Sequence, residues 1–114
     1  MDESTAEHYD KIRLELRRGA ISVALLAALR EPQYGYSLRK RLVEAGLDVD
    51  EGTLYPLLRR LEGQGLLHSE WREMQPRPRR YYHLNANGKK VLAELGRDWK
   101  ALDMTLNTLL EPQS

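Results

Sequence analysis

Leu92, Leu95, Trp99, Leu102, Leu106 and Leu109 are spaced 3, 4, 3, 4 and 3 residues apart. This is the a/d rhythm of a coiled-coil seam, sustained over almost three heptads. A helix packed only on its own domain shows a broader apolar arc, with a third apolar position in each heptad. So narrow a stripe favours pairing with a second copy of the chain over internal packing alone. Asn85 stands where an N-cap belongs, and Glu111-Pro112 stops the segment after about Leu110. The spacing therefore predicts a long C-terminal helix and a homodimer, with these six residues as the dimerisation seam.

A second stripe lies between Asp50 and Leu66. Leu54, Leu57, Leu58 and Leu61 fall on one narrow face of a helix that Asp50 caps. Gly52, Tyr55, Pro56 and Arg59 point the other way, flanked by Thr53 and Arg60, with no carboxylate at the centre of that surface. A helix anchored by leucines and showing a phenol, a hydroxyl and guanidiniums suits a DNA major groove. It also suits an ordinary solvated face. Pro56 stands about six residues in and deletes the bond to Gly52, so a distorted or kinked first turn is expected.

Charge decides little in bulk and more in detail. The 114 residues have a formal net charge of only +1. Yet Arg72, Arg77, Arg79, Arg80, Lys89 and Lys90 face a single acid, Glu73, over the stretch from Arg72 to Lys90. The first ten residues hold Asp2, Glu3, Glu7 and Asp10 and no lysine or arginine. Such segregation predicts a local basic patch on a nearly neutral body. The absence of cysteine removes disulfides, thiol nucleophiles and thiolate metal sites. No apolar run is long enough to span a bilayer and no signal-peptide core is visible, so a cytoplasmic protein without a membrane partner is expected.

The remaining elements follow from breakers and periodicity. A first helix is expected from about Ala6 to Glu31-Pro32, apolar nearly all round in its later part, with Gly19 a candidate break. Gln33-Tyr34-Gly35 reads as a turn before a second helix, Tyr36 to Ala45, ended by Gly46. Gly63 and Gly65 end the third helix. Leu66 to Glu73 and Arg79 to Leu84 read as strands joined by a basic, proline-stiffened tip containing Pro76 and Pro78. Helix, helix, recognition-type helix, hairpin and long helix is the order of a winged helix-turn-helix. The expected fold is mainly α with a small β-hairpin. Residues 1–84 would form the winged helix-turn-helix domain with its N-terminal helix, and residues 85–114 a dimerisation helix packed with that helix.

Four motifs in this order, L-R-R-G-A-I-S-V-A-L-L-A-A-L, Y-G-Y-S-L, E-G-T-L-Y-P-L-L-R-R-L-E-G-Q-G-L-L and R-Y-Y-H-L-N-A-N-G, resemble the PadR-like family of bacterial transcriptional regulators. The resemblance covers roughly residues 14–110, and Y-G-Y-x-L together with G-T-L-Y-P carries most of its specificity. It implies a dimeric repressor of a near-palindromic operator, with the third helix in the major groove and the wing on the backbone or minor groove. It places Tyr36 at a phosphate-contacting position, Thr53, Tyr55 and Pro56 at recognition-helix contact positions, and Arg79 and Arg80 on the basic wing strand. Asn85 departs from the threonine of many members, a change that keeps the cap. The single C-terminal helix resembles the family's short-tailed branch, some members of which bind planar hydrophobic drugs between subunits.

The candidate DNA-binding residues are thus Tyr36, Thr53, Tyr55, Pro56, Arg59, Arg60, Arg77, Arg79 and Arg80. Tyr55 and Tyr36 either touch DNA or pack beneath the wing. Arg59 meets bases or only phosphate, and Thr53 serves as contact or cap. Trp99 reads either as dimer core or as the wall of an effector pocket shared with Leu16, Leu95, Leu102 and Met104. His68 and His83 are potential neighbours across the hairpin, but without a third ligand they predict no metal site. No catalytic constellation and no cofactor motif is present, so no enzyme is expected. The leading reading is a homodimeric repressor of a two-fold-symmetric operator, released by a small-molecule effector. The competing ones are a winged-helix protein-interaction module without DNA binding and a small-molecule-binding protein.

Overall fold

The computed structural model describes residues 1–112 and contains α1 (Glu3–Ala28), α2 (Gly35–Glu44), α3 (Glu51–Gly63), β1 (Leu67–Arg72), β2 (Arg79–Leu84) and α4 (Ala86–Leu110). Residues 113–114, the end of the expected dimerisation segment, lie outside the described residues. The core is built where the apolar stripes converge. Leu25, Leu26 and Leu29 from the end of α1 meet Leu38 and Leu42 of α2, and all four leucines of the α3 stripe. Leu67, Tyr82 and Leu84 of the hairpin and Leu92 of α4 close it. No polar or charged residue is buried among the described residues, so burial of hydrocarbon is the main stabilising term.

Three of the four helices begin on a side chain that accepts from a free N–H group of the first turn. Asp2 accepts from the Thr5 N–H at 2.7 Å, Asp50 from Thr53 at 2.9 Å and Asn85 from Gly88 at 2.8 Å. Gly46 and Gly65, at φ +101° and +79°, reverse the chain after α2 and α3 in the left-handed region that glycine tolerates.

Four local expectations change. α1 starts at Glu3, earlier than expected, and passes Gly19 without a break. One glycine costs a helix interior only about 1 kcal/mol, too little to interrupt a helix whose second half is packed. α2 opens one residue earlier, because the Tyr34 N–H donates to Ser37 Oγ at 3.1 Å and makes Tyr34 the cap. α3 runs unbroken through exposed Pro56, which forfeits only its own N–H bond. Gln33, read as turn, exchanges two backbone hydrogen bonds with Tyr82 at 2.9 and 2.8 Å and extends the two-stranded antiparallel hairpin on the far side of β2.

The shape is elongated. A compact chain of this size has a radius of gyration of about 13 Å, whereas this one measures 17.0 Å over 60 × 34 × 25 Å. Two parts account for the excess: the first half of α1 and the second half of α4 extend past the core with their apolar residues exposed.

Candidate nucleic-acid interface

α3 is divided as its leucine stripe dictates. Leu54, Leu57, Leu58 and Leu61 are buried, and Thr53, Tyr55, Pro56, Arg59 and Arg60 are exposed. The loop before α3 is fastened from two sides. Arg39 Nε donates to the Val49 carbonyl at 3.1 Å and its guanidinium lies 3.7 Å from Asp48, while Arg17 of α1 donates to the Asp48 carbonyl at 3.3 Å. These contacts, with the Asp50 cap, fix where α3 starts.

The Thr53 hydrogen bonds hold the Asp50 carboxyl below its ordinary value of 3.8. A depressed folded-state pKa means that the cap contributes fully above the unfolded value and loses its contribution as pH falls through the folded one. Asp50→Asn, which caps without titrating, should therefore flatten the acid limb of stability below about pH 4. Thermal melts of both proteins at pH 3 to 6 measure this; parallel acid limbs would contradict it.

The hairpin register pairs Leu67 with Leu84, Ser69 with Tyr82 and Trp71 with Arg80 on the core-side face. His68 with His83, Glu70 with Tyr81 and Arg72 with Arg79 form the outer face. The two arginines that stand adjacent in sequence thus leave opposite faces of the wing. Arg79 lies over the Tyr34 ring at 4.4 Å, and Arg72 over Tyr81 at 4.2 Å. Arg80 is turned toward α3, 3.7 Å from Glu62. The histidine rings do meet, with centroids 5.1 Å apart.

Between the wing and the starts of α2 and α3 lies an open groove of about 740 Å³. It gathers Tyr36, Tyr55, Arg77, Arg79 and Arg80 from the candidate set. Thr53, Pro56, Arg59 and Arg60 stand outside it, exposed on α3. Four contributors escaped sequence reading. Tyr34 supports Arg79, exposed Trp71 lines the groove, and Glu62 holds Arg80. Gly35 makes room for Tyr55: a Cβ there would approach the ring carbons to 2.7 and 2.8 Å. Tyr55 therefore both lines the groove and packs against the α2 start. The glycine between two tyrosines was the one legible hint, since a close approach explains such a residue.

A second groove, of about 440 Å³, runs between α1 and α4. Leu16, Leu95, Trp99 and Leu102 line it, as does Leu106. Met104 does not: it is 71% exposed on another face of α4, two residues from Leu102 and so some 200° around the helix. The α4 stripe changes character along its length. Leu92 is buried in the chain's own core and Leu95 is half-buried, whereas Trp99, Leu102, Leu106 and Leu109 are 44%, 56%, 47% and 73% exposed.

The profile of the transcriptional regulator PadR-like family matches residues 25–94, which span α2, α3, the wing and the α4 start. The chain belongs to the PadR-like family of transcriptional regulators. It is similar to the transcriptional regulator Rv3488 of Mycobacterium tuberculosis, with 37% identity over 101 residues covering 88% of this chain and 92% of the relative. Its fold matches the crystal structure of a PadR family transcriptional regulator from Eggerthella lenta, at 42% identity and a TM-score of 0.85 over 98% of this chain and 100% of the other. A PadR-like regulator from Bacillus cereus matches at 29% identity and a TM-score of 0.78, over 87% and 99%. The mainly helical winged-helix architecture is thus that of PadR-like proteins. As a PadR-like protein the chain is a regulator of transcription and not an enzyme. No described helix is long and apolar enough to cross a membrane.

Proposed function

We propose that the chain is a homodimeric, sequence-specific DNA-binding repressor whose operator has two-fold symmetry and whose release is triggered by a planar hydrophobic small molecule. The observation that carries this reading is the segregation of α3: four leucines buried, and an outward row of Thr53, Tyr55, Pro56, Arg59 and Arg60 left exposed beside the arginine-bearing wing. Among the described residues Arg59, Arg60 and Arg77 form no ion pair, so their charge is available to phosphates or base edges. The uncovered half of the α4 stripe supports pairing with a second copy, which sets two α3 helices at a fixed separation for half-sites about one helical turn apart. The apolar groove beside Trp99 supports effector binding at the same region.

The test is DNA binding at two salt concentrations, with a duplex selected by the protein from a random pool. Arg59→Ala should weaken binding by about ten- to a hundred-fold, as loss of one base contact does, without lowering the melting temperature. Affinity should fall steeply with salt. Salt-insensitive or absent binding by a protein that still dimerises would favour a protein-interaction module instead.

A further inference from the structure

The arginines of the wing are held in different ways. Arg79 rests on a tyrosine ring and has no carboxylate partner among the described residues. Arg72 pairs with Glu70 of its own strand at 3.0 Å. Arg80 alone is tied to the helix that carries the candidate contact row. Its guanidinium lies 3.7 Å from Glu62 Oε2, in the last turns of α3. Ser69 Oγ of β1 donates to that same oxygen, and the Trp71 and Tyr82 rings stand 5.6 and 5.9 Å from the guanidinium. Both side chains of the pair are about two-thirds covered, so the contact is less screened than a free surface pair.

We propose that Glu62 is a specificity-setting positioning residue: it holds Arg80 against α3 and withholds that guanidinium from the DNA backbone. The inference rests on the DNA-binding reading above. Phosphates are identical at every site, so an arginine that grips one strengthens binding to any sequence and reads none. A wing that offered every arginine to phosphate would raise affinity for random DNA together with affinity for the operator. Engaging Arg80 internally leaves base reading on α3 with a larger share of the total, and the ratio of operator to random binding rises with it. The same oxygen joins β1, β2 and α3, so the restraint also fixes the wing's inclination to the helix.

Glu62→Gln separates the two roles. The amide oxygen still accepts from Ser69, but the charge that holds Arg80 is gone. Binding is measured to a random-sequence duplex and to the selected operator, from low to physiological salt. The expected result is affinity for the random duplex raised by about three- to ten-fold, operator preference lowered accordingly, and a salt slope steeper by roughly 0.9 for each arginine released. Adding Arg80→Met to Glu62→Gln should return the slope to the wild-type value. Arg80→Met alone should leave the wild-type slope unchanged, because that side chain touches no phosphate. An unchanged slope in Glu62→Gln, or a slope shallower by about one unit per chain in Arg80→Met, overturns the proposal while leaving DNA binding intact. Wild-type protein that binds neither duplex overturns the underlying reading as well.

Discussion

Leu102→Glu should yield a folded monomer that has lost about 10² to 10⁴-fold in operator affinity. The side chain is 56% exposed and lies outside the core, so a charge there costs the single chain little. In a dimer sealed by the exposed stretch of α4, the same charge meets apolar side chains on a two-fold axis and must be desolvated twice over. On the proposed DNA-binding reading, each α3 then binds alone and the gain from linking two half-sites is lost. Sedimentation equilibrium and fluorescence anisotropy on one sample measure both halves of the expectation. A variant that stays dimeric, or a monomer with undiminished operator affinity, would refute it.

Gly88→Ala should lower stability by about 3 kcal/mol, a tight overpacking penalty combined with a damaged helix cap. That corresponds to a fall of roughly 10 °C or more in melting temperature for a domain of this size. Gly88 sits in the first turn of α4, and an added Cβ would collide with the Leu66 backbone carbonyl, with Leu84 Cδ2 only 3.0 Å away. Backbone cannot swing aside as a side chain can. That carbonyl also accepts the Asn85 N–H at 3.2 Å, and the Asn85 amide donates to the Gly65 carbonyl at 2.8 Å. The junction of α3, wing and α4 would shift as a unit. Gly96→Ala in the same helix meets nothing within 4 Å and should instead add about 0.5–1 kcal/mol. Thermal melts at equal protein concentration distinguish the pair; equal effects would show that the close approach at Gly88 is not what matters.

How much of this was legible depended on whether the interaction was local. The α3 stripe was read completely, since four leucines at helical spacing can be buried only on one face, and all four are. The hairpin was legible from alternation and prolines, with β1 trimmed to Leu67–Arg72. Arg79 and Arg80 illustrate the limit. Both read as basic wing residues, but strand alternation sends them to opposite faces, and the partner that claims Arg80 is eighteen positions back in the chain. Gln33 paired with Tyr82 for the same reason: a backbone partner about fifty residues away leaves no local mark. Met104, expected in the apolar pocket, lies on another face of α4, where helical rotation carries it away from Leu102.

Periodicity and capping chemistry alone determined the helices, the wing and the presence of an amphipathic seam near the C-terminus, because each is a relation among residues a few positions apart. Tertiary structure decided where that seam leaves the core, between Leu92 and Trp99, since only the packed body shows how far α1 and the hairpin reach along α4. It also decided which arginines face outward unpaired and which is held by Glu62. Burial and ion pairing depend on distances between elements, and a linear sequence specifies those only through the fold it adopts.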